Sequence, residues 1–229
     1  MSGEEGRGSP ESIVQFRNQL AELKQEGSNI LLVGTDEQSA ACERLLGESS
    51  ARPRRRVFVT TDADPSVTRP KFESIDERPT RESAAVVDWR VETRSASADS
   101  GSGGDVRTWS VDGDLRTLGE TVEQVVEAFD EETGGLRPAE LRLCFDSLTP
   151  LVADRDLRDA SRFLLALTET VKRVDGMAHY HLPVSYDDET VQVLAPLFDA
   201  VVEVQRGERE VEQRWHLSDP DITTDWLPL

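Results

Sequence analysis

The sequence predicts an α/β protein in three layers, a mostly parallel sheet with helices on both faces and an antiparallel hairpin at the C-terminal end. Short apolar runs alternate with longer stretches whose apolar residues recur at helical spacing, the pattern of strands joined by crossover helices. The run Ile30 to Val33 is apolar at every position, as a strand buried on both faces must be. Near the end, Arg206-Gly207-Glu208 is a turn signal between two strand-like runs. A chain of 229 residues can bury one sizeable core of this kind.

Residues 1–8 are polar and acidic and are expected to be disordered, with no signal peptide. Ser9-Pro10 predicts a helix start, because proline suits the first helical position. Ile13, Phe16, Leu20 and Leu23 then keep helical spacing up to Gly27. The Ile30–Val33 strand follows, ends at Gly34, and leads into a helix over Gln38–Leu46. Arg56–Thr61 is a second strand ending at Asp62, with a short helical turn expected near 70–76. Ala84–Trp89 is a third strand, and Ser95–Asp105 is a flexible loop by composition. Val106–Val111 predicts a short edge strand, and Asp114–Gly119 leads into a helix over about 120–131.

Leu141–Phe145 is a strand ending in Asp146-Ser147. The longest helix is expected over Asp154–Arg173, its buried stripe formed by Leu157, Ala160, Leu164, Leu167, Val171 and Val174. A strand over Met177–Leu182, a helix over 187–198, a strand over Ala200–Gln205 and a hairpin arm over Val211–Leu217 complete the order. Residues 9–217 thus read as one domain with a flexible loop at about 93–105. Residues 218–229 form a loop-like tail in which Trp226, Leu227 and Leu229 are free to dock.

The formal net charge is −19, and the only lysines are Lys24, Lys71 and Lys172. An acidic, lysine-poor surface on a normally patterned chain points to a cytosol of very high salt, where repulsion is screened within about 3 Å. No basic stripe is present to release counterions, so direct contact with nucleic acid is not expected. The cluster Arg52, Arg54, Arg55 and Arg56 reads as a loop before a strand. No apolar run is long enough to span a bilayer. Cys42 and Cys144, the only cysteines, read as small core residues of a reduced cytoplasmic protein.

The segment around Gly34 is built like a nucleotide-binding loop without its chemistry. A P-loop begun at Gly34 requires its second glycine, its lysine and its hydroxyl at positions 39, 40 and 41. Ser39, Ala40 and Ala41 stand there. No ammonium reaches the outer phosphates and no hydroxyl holds Mg²⁺, while Asp36 and Glu37 put negative charge where phosphates would sit. Gly101-Ser-Gly-Gly104 is a linker by its surroundings, and no Gly-x-Ser-x-Gly nucleophile elbow occurs.

The order of elements resembles the RecA/KaiC-like branch of P-loop NTPases. More closely, it is similar to a set of uncharacterised halophilic archaeal proteins with RecA/KaiC-like domains. Trp109–Gly119, Leu141–Leu151 and Leu197–Val204 carry the likeness, which covers about residues 10–217. The resemblance implies that Asp146, followed by Ser147, matches the Walker B aspartate that orients Mg²⁺ and water in active members. It makes Asp62 the candidate catalytic carboxylate after the second strand. His181 would then end a strand lying between the P-loop and Walker B strands, where a γ-phosphate sensor often sits. Because the loop departs from the family's pattern, Gly34, Thr35, Asp36, Ser39, Ala40, Ala41, Asp62, Asp146, Ser147 and His181 are expected to be vestigial positions, with no catalytic residue and no cofactor. The alternative is an ATP- and Mg²⁺-binding enzyme using Asp62, Asp146 and His181.

Strand-end aspartates also cap turns, and Asp62 and Asp146 each have that plainer role open to them. His179 and His181 alternate on one strand and share a face. With Asp146 they offer imidazole and carboxylate, but no spacing marks a metal site, so none is assigned. The expectation is a non-catalytic regulatory or assembly module, with a protein partner or a second copy of itself and neither nucleic acid nor membrane as ligand.

Overall fold

The computed structural model describes residues 10–34, 38–47, 53–61, 80–90, 106–153, 156–219 and 221–229. Thr35, Asp36, Asp62, the turn expected near 70–76 and the loop at about 93–105 lie outside the described residues, as do residues 1–8. The elements run α1 (Pro10–Gln25), β1 (Ser28–Val33), α2 (Gln38–Leu46), β2 (Arg55–Thr60), β3 (Ala84–Arg90), β4 (Arg107–Asp112), α3 (Leu115–Thr133) and β5 (Leu141–Phe145). After them come α4 (Thr149–Ala153), α5 (Leu157–Lys172), β6 (Met177–Leu182), α6 (Glu189–Leu194), a 3₁₀ turn (Ala195–Leu197), β7 (Ala200–Arg206), β8 (Val211–Leu217), β9 (Ile222–Thr223) and β10 (Leu227–Pro228).

One ten-stranded sheet has the order β10-β8-β7-β1-β6-β5-β2-β3-β4, with β9 on β8. From β7 through β4 every neighbouring pair is parallel. The β7–β8 pair and the two short strands on β8 are antiparallel, so the C-terminal segment extends the sheet at one edge. The expected α/β architecture is the observed one.

Right-handed crossovers explain where the helices lie. The connection from β1 to β2 runs toward the β4 edge, whereas those from β4 to β5, β5 to β6 and β6 to β7 run back. Opposite directions put helices on opposite faces. Accordingly α2 packs with Phe58, Val86 and Cys144, and α1 adds Phe16, Leu20 and Leu23 to Ile30 and Leu32. Leu31 and Val33, the alternate residues of β1, point to the other face, into a larger core built from α3, α5 and α6.

Two helix boundaries differ from expectation. The helix expected over about 120–131 begins at Leu115, because Asp114 caps it by accepting from the Thr117 backbone N–H at 2.9 Å. This α3, with 19 residues, is the longest described helix. The helix expected over Asp154–Arg173 is α5, starting later at Leu157 behind an Asp156 cap with ψ 125°, and the short α4 before it was not expected. Its stripe holds Ala160, Leu164, Leu167 and Val171 in the core, with Leu157 and Val174 at the margins.

Candidate functional site at the end of the first strand

The C-terminal ends of the parallel strands share one edge, where open α/β sheets place ligands. β6 lies between β1 and β5, the position expected for the strand carrying His181. Gly34 leaves β1 with φ 129°, and a Cβ there would sit 2.2 Å from the Val204 carbonyl oxygen. Its N–H donates to the Val184 carbonyl at 2.9 Å. A close approach to β7 therefore requires this glycine, with or without a phosphate nearby. Ser39 lies in the first turn of α2. Ala40 is half-buried and Ala41 is in the core among Ile30, Leu32 and Val202.

Asp146 accepts at one oxygen from Thr61, whose N–H lies at 2.9 Å and hydroxyl at 3.0 Å. The Thr61 hydroxyl also reaches the Ser147 carbonyl at 2.8 Å, and the Ser147 hydroxyl accepts from the Thr149 N–H at 3.2 Å. These contacts tie the end of β5 to β2 and start α4, the plainer of the two roles open to a strand-end aspartate. Next along the edge, the Thr60 hydroxyl donates to Asp88 at 3.1 Å, and Arg90 pairs with Asp88 at 3.0 Å.

His181 turns toward sulfur. Its Nε2 faces the Cys144 sulfur at 3.7 Å, under α2. The parallel register sets Cys144 beside His179, and the two histidine rings lie 5.2 Å apart. From α2, Cys42 comes down onto both: its sulfur is 3.3 Å from Cys144 Sγ and 3.3 Å from His179 Nε2. The donor atoms of all four residues lie within 4.8 Å of one another, and all four side chains are buried. The hydrogen bond with Cys144 holds the Cys42 thiol well below its usual range, against burial, with His179 adding to the effect. Burial is the largest influence on His179 and lowers its imidazole from the ordinary range, against the pull of Cys42. Sequence reasoning placed the cysteines in the core and weighed the histidines with Asp146 without assigning a metal site; it missed the four-residue cluster. Two cysteines so far apart in sequence give no spacing signal, and only the alternation His179, His181 hinted at it.

A second polar group sits below α2. Arg142 donates to the Leu45 carbonyl at 3.0 Å and Arg56 to the Gly47 carbonyl at 2.5 Å, cations at a helix C-terminus. Burial, and then Arg54 and Arg56, push the Arg142 guanidinium down to about 9. The arginines expected in a loop thus belong in part to β2, Arg55 and Arg56 lying within it. An open groove of about 360 Å³ lies between α3 and α5, on the opposite face and away from this chemistry.

Residues 27–204 match the model of a family of unknown function, DUF7504. The chain belongs to this family. No curated protein matches the chain. Among solved structures it is similar to a KaiC-like protein of the hyperthermophilic archaeon Pyrococcus horikoshii OT3, at 14% identity and a TM-score of 0.54, over 87% of this chain and 82% of that one. This DUF7504 member therefore has a KaiC-like fold, and among its described residues no helix is long and apolar enough to cross a membrane.

Proposed function

We propose that this protein is a non-catalytic RecA/KaiC-like module of a halophilic archaeal cytosol, acting in regulation or assembly through protein–protein contacts, with its working domain over residues 9–217. The observation that carries the reading is Ser39-Ala40-Ala41 where a phosphate-gripping loop needs glycine, lysine and a hydroxyl. The fold tolerates this loss because Gly34 and Ala41 serve packing. Phosphoryl transfer does not tolerate it, since positioning and charge neutralisation supply nearly all its catalysis. Further support comes from Asp146, engaged by Thr61, and from His181, turned toward Cys144. The same two contacts weigh against the alternative, an ATP-binding enzyme built on Asp62, Asp146 and His181. Titration calorimetry with Mg-ATP in molar potassium chloride tests the choice. No binding tighter than millimolar is expected; micromolar binding would replace the proposal with the enzyme.

A further inference from the structure

Four side chains that ligate metals converge in the apolar layer beneath α2, and each comes from a place that fold geometry fixes. Cys144 and His179 are lateral neighbours across the parallel pair β5–β6. His181 is two residues further along β6, so its side chain leaves the same face. Cys42 closes the set from the inner surface of α2, where it packs with Leu46, Phe58 and Val86. None of the four is more than 4% exposed.

The spacing decides between the available chemistries. A disulfide needs sulfurs about 2.05 Å apart, and Cys42 and Cys144 stand at 3.3 Å. A tetrahedral ion with metal–sulfur bonds of about 2.3 Å and metal–nitrogen bonds of about 2.05 Å separates its ligands by about 3.3–3.8 Å. Three of the donor pairs lie at 3.3, 3.3 and 3.7 Å, and all lie within 4.8 Å. Ordinary core packing leaves these groups poorly served, because a thiol is a weak donor and a weak acceptor for a buried imidazole. Two thiolates and two neutral imidazoles bring two negative charges, which cancel a divalent ion in a site that must be neutral to stay dry.

We infer that Cys42, Cys144, His179 and His181 form a closed, four-ligand site for a zinc-type divalent ion. Binding displaces the two thiol protons to solvent and forms two metal–sulfur and two metal–nitrogen bonds. All four positions are protein ligands, so the site is structural and has no open place for substrate. It clamps α2, the helix that follows the altered loop, to β5 and β6. The clamp holds that helix without help from a nucleotide. It stands apart from the loop reading, since metal content and ATP calorimetry report on different atoms.

The test uses the full chain, purified in reductant and molar potassium chloride without a metal-affinity column. Elemental analysis should find about one zinc per chain. After removal by chelator, cobalt(II) titration should saturate at about one equivalent, with intense tetrahedral visible bands and a thiolate-to-cobalt band in the near ultraviolet. Cys144→Ser and His181→Gln should each weaken cobalt binding about tenfold or more while circular dichroism confirms the fold. Should either variant fail to fold, alkylation of the native chain decides instead, both thiols being protected until the ion is stripped. A folded chain that takes up neither ion, or a Cys42–Cys144 disulfide resisting that reductant, overturns the site.

Discussion

Gly34 carries two constraints at once, a φ of 129° and a gap too narrow for a Cβ. Gly34→Ala should therefore destabilise the fold by more than about 1 kcal/mol, since alanine at positive φ costs more than the entropy it saves. Urea melts read this directly, and an unchanged midpoint would return the glycine to a purely ligand-related role. Asp114 offers a test in pH. Its carboxylate is held below the ordinary 3.8, first by the Thr117 backbone N–H and then by the Thr117 hydroxyl. The folded state thus favours the ionised form. Its contribution is full above that ordinary value and is lost as pH falls through the depressed one. Asp114→Ala should lower the melting temperature near neutrality by a few degrees, and the gap should narrow in strong acid. A gap independent of pH would contradict the capping role.

Strand β1 lines both cores, and a buried polar chain ties it to its neighbours on the side of the larger one. Tyr180 donates to Asn29 Oδ1 at 2.9 Å, and Asn29 Nδ2 donates to the Thr168 carbonyl at 3.1 Å, linking β6 and β1 to α5. Its backbone N–H reaches Asp199 at 2.8 Å, which orients the start of β7. Burial first, then Asp199, raises the Tyr180 phenol, so the hydroxyl stays a donor at all ordinary pH. Asn29→Ala leaves that hydroxyl and the Thr168 carbonyl without this partner. A loss of about 1–3 kcal/mol per stranded group is expected. Tyr180→Phe in the same background should recover part of it, and a double-mutant cycle with no coupling would sever the link.

Across the whole molecule, a net charge of −19 must be held on one domain-sized surface. Screening reaches about 3 Å at 1 M salt but about 10 Å at 0.1 M. Lowering potassium chloride across that range should loosen the fold and reduce its melting temperature; an unchanged circular dichroism melt would remove the case for a high-salt cytosol. Strand β1 was legible because the uninterrupted apolar run Ile30–Val33 admits few alternatives. Helix starts were less so: Asp114 and Asp156 cap only when their φ and ψ are extended, which composition does not reveal. For the site, the proposed loss of a lysine and a hydroxyl rests on Ser39, Ala40 and Ala41, which are read along the chain because a P-loop is contiguous. The occupation of Asp146 by Thr61 could not, being a contact between two different strand ends.

Local order and residue chemistry were enough to name the sheet-and-helix frame and to set Ser39, Ala40 and Ala41 against the spacing of a P-loop. Strand order and register did the rest. They set Cys144 beside His179, turned His181 toward sulfur, and lowered Cys42 onto all three. The physical reason is that a parallel sheet makes neighbours of residues separated by whole crossovers, and side-chain alternation along a strand chooses the face they share.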